Sequence, residues 1–234
     1  MSTLRKAFLV SLVLMLAACS SPEKKAARYT GKGQEYMKAS KYTDAAVEFK
    51  NAVKLTPKSA AAHYNLGEAY YKMGGNLSNL QLAFAEFNRA VKLDPNNTDA
   101  QLKVGELLLI GHDYKGAQQK AELVLNREKD NMDARIVLAT ALAGQGSMAK
   151  ATAMIGDVLK TRPSTAKPYI AAAGIYMAAR DTASAEKAYR DALAINDSLD
   201  ARFALASLYA REGKLPAAED ELLVDAHRRA MYRV

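Results

Sequence analysis

Small, large and polar positions recur along the chain in a fixed order. A small residue is followed twelve residues later by an alanine: Gly33 and Ala45, Gly105 and Ala117, Ala139 and Ala151, Ala173 and Ala185, Ala206 and Ala218. Gly67 and Ala83 repeat the pair at a separation of 16. The first members step by 34, 38, 34, 34 and 33 residues. Three residues past each small position stands a large apolar one, Tyr36, Tyr70, Leu108, Leu142, Tyr176 or Tyr209. Four past each alanine stands Phe49, Phe87, Ala121, Ile155, Tyr189 or Leu222. Pro57, Pro95 and Pro163 close three of the periods, and Lys129 and Asp197 take the proline's place in two others. This order predicts pairs of antiparallel helices. Each helix is about fourteen residues long and each pair is joined by a three-residue turn. Little side chains let the two helices approach, larger ones fill the flanks, and proline stops the second helix by removing a donor and clashing with the preceding turn.

The period, with Ala62-His63-Tyr64-Asn65-Leu66-Gly67 and Phe87-Asn88-Arg89-Ala90-Val91-Lys92-Leu93-Asp94-Pro95, resembles the tetratricopeptide repeat. The resemblance covers residues 26 to about 225. It implies an all-α fold, a right-handed superhelical solenoid of about six hairpins. The repeats run over about 26–59, 60–97, 98–131, 132–165, 166–198 and 199–232, an array of 28–232. Each hairpin exposes a face that only its neighbour can cover, so stability is a nearest-neighbour sum. The four extra residues of the second repeat fall within Gly74–Leu80 and are expected to lengthen its hairpin loop.

The first residues follow another logic. Arg5 and Lys6 precede an apolar run, Ala7 to Leu16, broken only by Ser11. The run is too short for a bilayer span, which needs about 20 apolar residues, and its order is that of an export signal over 1–18. Leu16-Ala17-Ala18-Cys19 resembles the lipobox of bacterial lipoproteins. That family lipidates the cysteine thiol, and Cys19 is the single cysteine of the chain. The resemblance implies a lipid anchor at Cys19. Ser20 after it points to the outer membrane, periplasmic face, more than to the inner membrane. Residues 19–27 read as a tether. With Cys19 acylated no thiol remains for a disulfide, and packing alone must stabilise the fold.

Charge adds little. The full chain carries 33 basic and 25 acidic residues, and loss of residues 1–18 leaves 31 basic. This mild, dispersed excess gives no basic patch for nucleic acid and leaves room for acidic partners or anionic headgroups. His63, His112 and His227 lie whole repeats apart, so none share a helix face at metal-ligand spacing. Gly31-Lys32-Gly33 and Gly144-Gln145-Gly146 fit helix and turn positions of the repeat, not a phosphate loop. Neither a cofactor, a metal nor an enzymatic activity is expected.

The resemblance implies a groove lined by successive first helices, here Tyr64, Asn65, Tyr71, Leu102, Lys103, Leu109, Ile136, Ile170, Met177 and Phe203. An extended or helical peptide with apolar anchors would fit it. Asn65 and Lys103 match positions with which some repeats of this type grip a terminal carboxylate, but Asp99 would repel one. The expected partner is a protein or peptide, with the membrane reached through the anchor. The whole chain is similar to tetratricopeptide lipoproteins of exopolysaccharide or envelope export, and to the pilotins of type IV pili. It is thus expected to be an envelope scaffold. The alternatives are a secretin-assembly factor and a non-catalytic accessory part of a larger enzyme.

Overall fold

A computed structural model describes residues 21–231, with side chains through Leu223. The signal segment and Cys19 lie outside the described residues. Twelve helices and no strand are present among them: α1 (Pro22–Lys38), α2 (Tyr42–Leu55), α3 (Ala60–Met73), α4 (Leu77–Leu93), α5 (Thr98–Ile110), α6 (Tyr114–Leu125), α7 (Met132–Gly144), α8 (Met148–Lys160), α9 (Ala166–Ala178), α10 (Thr182–Ile195), α11 (Leu199–Arg211) and α12 (Leu215–Met231). They follow one another in six successive pairs, the two helices of each joined by a short turn. No described helix is long and apolar enough to cross a membrane.

The chain divides into two compact units at Leu107 and Leu108. In the N-terminal unit α1 packs on α2, α2 on α3 and α3 on α4, and α1 also touches α3. In the C-terminal unit each helix from α6 to α12 packs on the next, and α7 also touches α9. Sequential neighbours plus first-helix-to-first-helix contact make each unit a stack of hairpins.

The recurring alanines sit at the centre of these contacts. Ala45, Ala83, Ala117, Ala151 and Ala185 are all fully buried. Opposite the small position lies the residue four past the alanine. A Cβ on Gly33 would fall 2.5 Å from the Phe49 ring, and one on Gly67 would fall 2.8 Å from the Phe87 ring. Those phenylalanines are 2% and 0% exposed, so glycine is what admits them. The C-terminal unit buries a continuous cluster including Ile136, Ala139, Ile155, Ala173, Tyr189 and Leu205.

Every hairpin turns at the same register. Ser40, Gly74, His112, Gly146, Arg180 and Gly213, each seven residues past the small position, all have positive φ, between 53° and 81°. In five of the six the next residue donates its N–H to the carbonyl of the large apolar residue: Lys41 to Tyr36, Asp113 to Leu108, Ser147 to Leu142, Asp181 to Tyr176 and Lys214 to Tyr209. This six-to-one bond with a left-handed residue is a Schellman ending, which satisfies carbonyls the helix leaves open.

Two expectations are corrected. The four extra residues of the second repeat do not lengthen its loop, which is still Gly74–Asn76. They add a turn to α4, which runs 17 residues, and Asn76 caps it by accepting the Asn79 N–H at 2.9 Å. A helical turn satisfies its own backbone, whereas four loop residues would not. Residues 22–27, expected in the tether, belong to α1. Ser21 Oγ accepts the Lys24 N–H, and Pro22 occupies the first helical position, where its fixed φ favours helix.

Candidate functional site

Hydrogen bonds join four of the repeats to the turn that closes the one before. His63 Nε2 donates to the Pro57 carbonyl at 3.1 Å, and Gln101 Nε2 to that of Pro95 at 3.1 Å. Arg135 donates Nε and Nη2 to the Lys129 carbonyl at 3.2 and 3.1 Å. Arg202 donates Nε to the Asp197 carboxylate. All four stand four residues before the small position. His63 also meets Glu86 of α4 at 2.6 Å through Nδ1, and Arg202 meets Glu221 of α12 at 2.7 Å. These polar clasps explain the buried His63 as a structural group. The sequence carries their signal in the register, since a long polar residue recurs at that one place in four repeats.

In the N-terminal unit, Tyr64, Glu68 and Tyr71 are spaced four and three apart on α3, so they share one helix face. Lys103 of α5 joins them. Its Nζ lies 4.7 Å from the Tyr71 ring centroid, 3.4 Å from Glu68 Oε1 and 3.3 Å from Glu106 Oε2. Burial pulls the Lys103 pKa down, but Glu106 and Glu68 outweigh it, and the net shift is upward. Burial first, then the Glu68, Asp99 and Glu106 charges, push the Tyr64 phenol far up. Tyr64 leans on the Phe87 ring at 5.5 Å. This half-buried patch is aromatic and net acidic. Its one lysine is already matched by two carboxylates, so it does not form a clamp for a terminal carboxylate.

In the C-terminal unit the same register is apolar. Thr140, Ala143 and Gly144 of α7, Ile170, Ala171 and Gly174 of α9, and Tyr114 of α6 line an open depression of about 450 Å³. Gly144 lets Tyr114 form its wall, because a Cβ there would lie 2.3 Å from the ring. Gln145 holds that wall by donating to the Tyr114 carbonyl at 3.3 Å and to Gln118 Oε1 at 2.8 Å. Gly174 sits mid-helix, exposed, with nothing within 4 Å of where its Cβ would be. Helix-interior glycine costs up to about 1 kcal/mol relative to alanine, and no contact among the described residues explains it.

The expected groove residues divide accordingly. Tyr64, Tyr71 and Lys103 come together, with half-buried Asn65 beside Tyr64 on the same helix. Ile170 lines the depression, Met177 is half-buried against the core, Leu109 is half-buried and Phe203 is 50% exposed. Leu102 and Ile136 are corrected. They are 7% and 5% exposed, packed between helices, and present no surface. Tyr114, Gly144 and Gly174 were missed. A glycine inside a predicted helix, with no turn to demand it, was the available signal. Among the described residues no three His, Cys, Asp or Glu side chains are grouped to hold a metal ion.

Comparison with known proteins agrees with this geometry. Residues 33–74 match a family model described as TPR repeat, and residues 60–97 and 170–230 each match one described as tetratricopeptide repeat. The chain is a tetratricopeptide-repeat protein, all-helical and built of stacked hairpins. No curated protein matches it. Among solved structures, a tetratricopeptide repeat protein from Parabacteroides merdae is similar with a TM-score of 0.73 at 16% identity, over 84% of this chain and 75% of that one. PilW, described as a widely conserved type IV pilus biogenesis factor, is similar at 0.68 and 19%, over 89% and 94%. Pseudomonas aeruginosa PilF is similar at 0.63 and 16%, over 87% and 91%. These likenesses show the fold. The fold is that of protein-interaction scaffolds.

Proposed function

We propose that the protein is a lipid-anchored scaffold of the bacterial envelope that binds segments of partner proteins on its first-helix faces, in the export or assembly of a cell-surface structure. The observation that carries the binding reading is Gly174. A mid-helix glycine over open space, at the floor of an apolar depression, suits the close approach of another chain's backbone. The aromatic, acid-rich patch of the N-terminal unit suits a segment bearing a basic side chain. The anchoring reading rests on the sequence around Cys19. Its outer-membrane address rests on Ser20.

A second reading is secretin-ring assembly for type IV pili. It is favoured by the likeness to PilW and PilF, which extends over nearly the whole of those chains.

Cell fractionation of a Cys19→Ser variant tests the anchor. The expected result is a precursor or soluble protein in place of an outer-membrane one. Normal processing and membrane retention would overturn the lipoprotein reading. For the groove, Gly174→Trp fills the depression and is expected to abolish co-purification of partners from crosslinked cells with helicity unchanged. Unchanged co-purification would overturn that assignment.

A further inference from the structure

The clasp that joins repeats is complete in the second and sixth and incomplete in the fourth. In the complete cases a cationic or imidazole group of the first helix meets a glutamate three residues past the recurring alanine: His63 with Glu86, and Arg202 with Glu221. Arg135 is the counterpart in the fourth repeat. Two of its nitrogens are fixed on the Lys129 carbonyl, and Nη2 lies 2.8 Å from Asp130, whose side chain is 96% exposed. Three residues past Ala151, however, stands Met154. Arg135 makes no ion pair with α8; its charge acts at longer range on Asp157, whose carboxylate is paired with Lys160.

Where that glutamate would be, a cavity of about 650 Å³ opens along α6, α7 and α8. Half-buried Leu125, Leu142 and Met154 line its floor, and Lys129 and Lys150 stand at its rim. Its one acid, Asp157, is held by Lys160 at 2.7 Å. Lys129 takes the place that proline holds at the close of three other repeats, so this rim is basic in this repeat alone.

We infer that this cavity docks an acidic segment of a partner protein. The segment lays a carboxylate against Arg135 and the two lysines, and sets an apolar side chain on Leu142 and Met154. The partner supplies from outside the contact that Glu86 and Glu221 supply within their own repeats. Charge complementarity selects the occupant, since Arg135, Lys129 and Lys150 outnumber the two acids beside them, Asp130 paired with Arg135 and Asp157 with Lys160. Arg135 is suited to the task because its planar fork is held in place by a carbonyl before any ligand arrives. The site lies apart from the depression at Gly174 and stands whether or not the envelope reading holds.

The test is fluorescence anisotropy of the full chain with a labelled ten-residue peptide of alternating Asp and Leu. Two matched peptides, one with Ser for Leu and one with Lys for Asp, serve as comparisons. The Asp–Leu peptide is expected to bind, the Ser peptide at least tenfold more weakly and the Lys peptide not at all. Lys129→Glu with Lys150→Glu is expected to weaken binding at least tenfold. Met154→Glu restores the carboxylate from within and is expected to weaken binding at least tenfold while leaving the melting temperature unchanged or higher. Ile170→Asp, in the other depression, is expected to leave the affinity unaltered. Equal binding by Met154→Glu and the double variant, or by the Lys peptide, would overturn the proposal. So would binding to phosphatidylglycerol vesicles with none to the Asp–Leu peptide, because the occupant would then be a membrane surface.

Discussion

The two compact units run the same helical register with different residues in it. In the N-terminal unit the first helix offers glycine and the second a phenylalanine, Gly33 with Phe49 and Gly67 with Phe87. In the C-terminal unit the first helix offers alanine and the second Ile155, Tyr189 or Leu222. In these pairs the methyl group added on one side is matched by a different shape on the other, an exchange of volume that the third repeat, with Gly105 and Ala121, does not make. The surfaces diverge further. One unit shows two tyrosines, a lysine and acids, and the other shows alanine, glycine and isoleucine around a depression. A scaffold that keeps its packing register while changing its exposed positions can present two chemistries from one fold.

The largest effect should come from removing the ring that glycine admits. Phe87→Ala is expected to cost about 3–5 kcal/mol by the loss of a fully buried aromatic and the cavity left behind. Calorimetric or denaturant unfolding would measure it. Next, Gly67→Leu should cost about 1–3 kcal/mol by overpacking against Phe87, and Phe87→Ile should recover part of it. Strict additivity of the two substitutions would break the volume-exchange account. In the C-terminal unit the matching change Ala173→Gly loses only one buried methyl and should cost about 1 kcal/mol.

Smaller effects sharpen the comparison at the turns. Gly146, at φ +81°, and Arg180, at φ +61°, occupy the same register. Gly146→Ala should lower stability by about 1 kcal/mol, and Arg180→Gly should raise it by a few tenths, since only glycine takes this conformation without strain. The smallest effect concerns pH. The folded pKa of Lys103 lies above its ordinary 10.5, so its contribution is complete below that pH and is lost as pH rises through the raised value. Lys103→Met should therefore flatten the alkaline limb of the stability profile, with little change in shape below pH 10.

The period itself was legible because close helix contact demands small residues at fixed spacing, and no other use of those residues keeps that spacing through five of six repeats. The closing prolines marked where α2, α4 and α8 had to stop. The position of the extra turn was not legible. Gly74-Gly75-Asn76 reads as loop, and only the Asn76 cap shows that helix resumes at Leu77. Burial at the groove register was not legible either. Tyr64, Leu102, Ile136, Ile170 and Phe203 hold equivalent positions, yet two are buried and Phe203 is half-exposed. Register sets a side chain's direction, but the bulk beside it decides whether it is covered. Ile170 stays open because Ala171 and Gly174 next to it are too small to close over it. The clasps show in the sequence only as a recurring long polar residue, because three of the four reach a backbone carbonyl, which the sequence does not display.

The claim that the first-helix faces are the binding surfaces is tested most directly by site-specific photocrosslinking in living cells. A photoreactive phenylalanine analogue would be placed singly at Tyr71, Ile170 or Phe203, and for contrast at Leu123, which is 48% exposed on α6. Discrete adducts are predicted from the three first-helix positions, with the one from Ile170 lost when Gly174→Trp fills the depression. Adducts of equal yield from Leu123, or an Ile170 adduct that survives Gly174→Trp, would contradict the account.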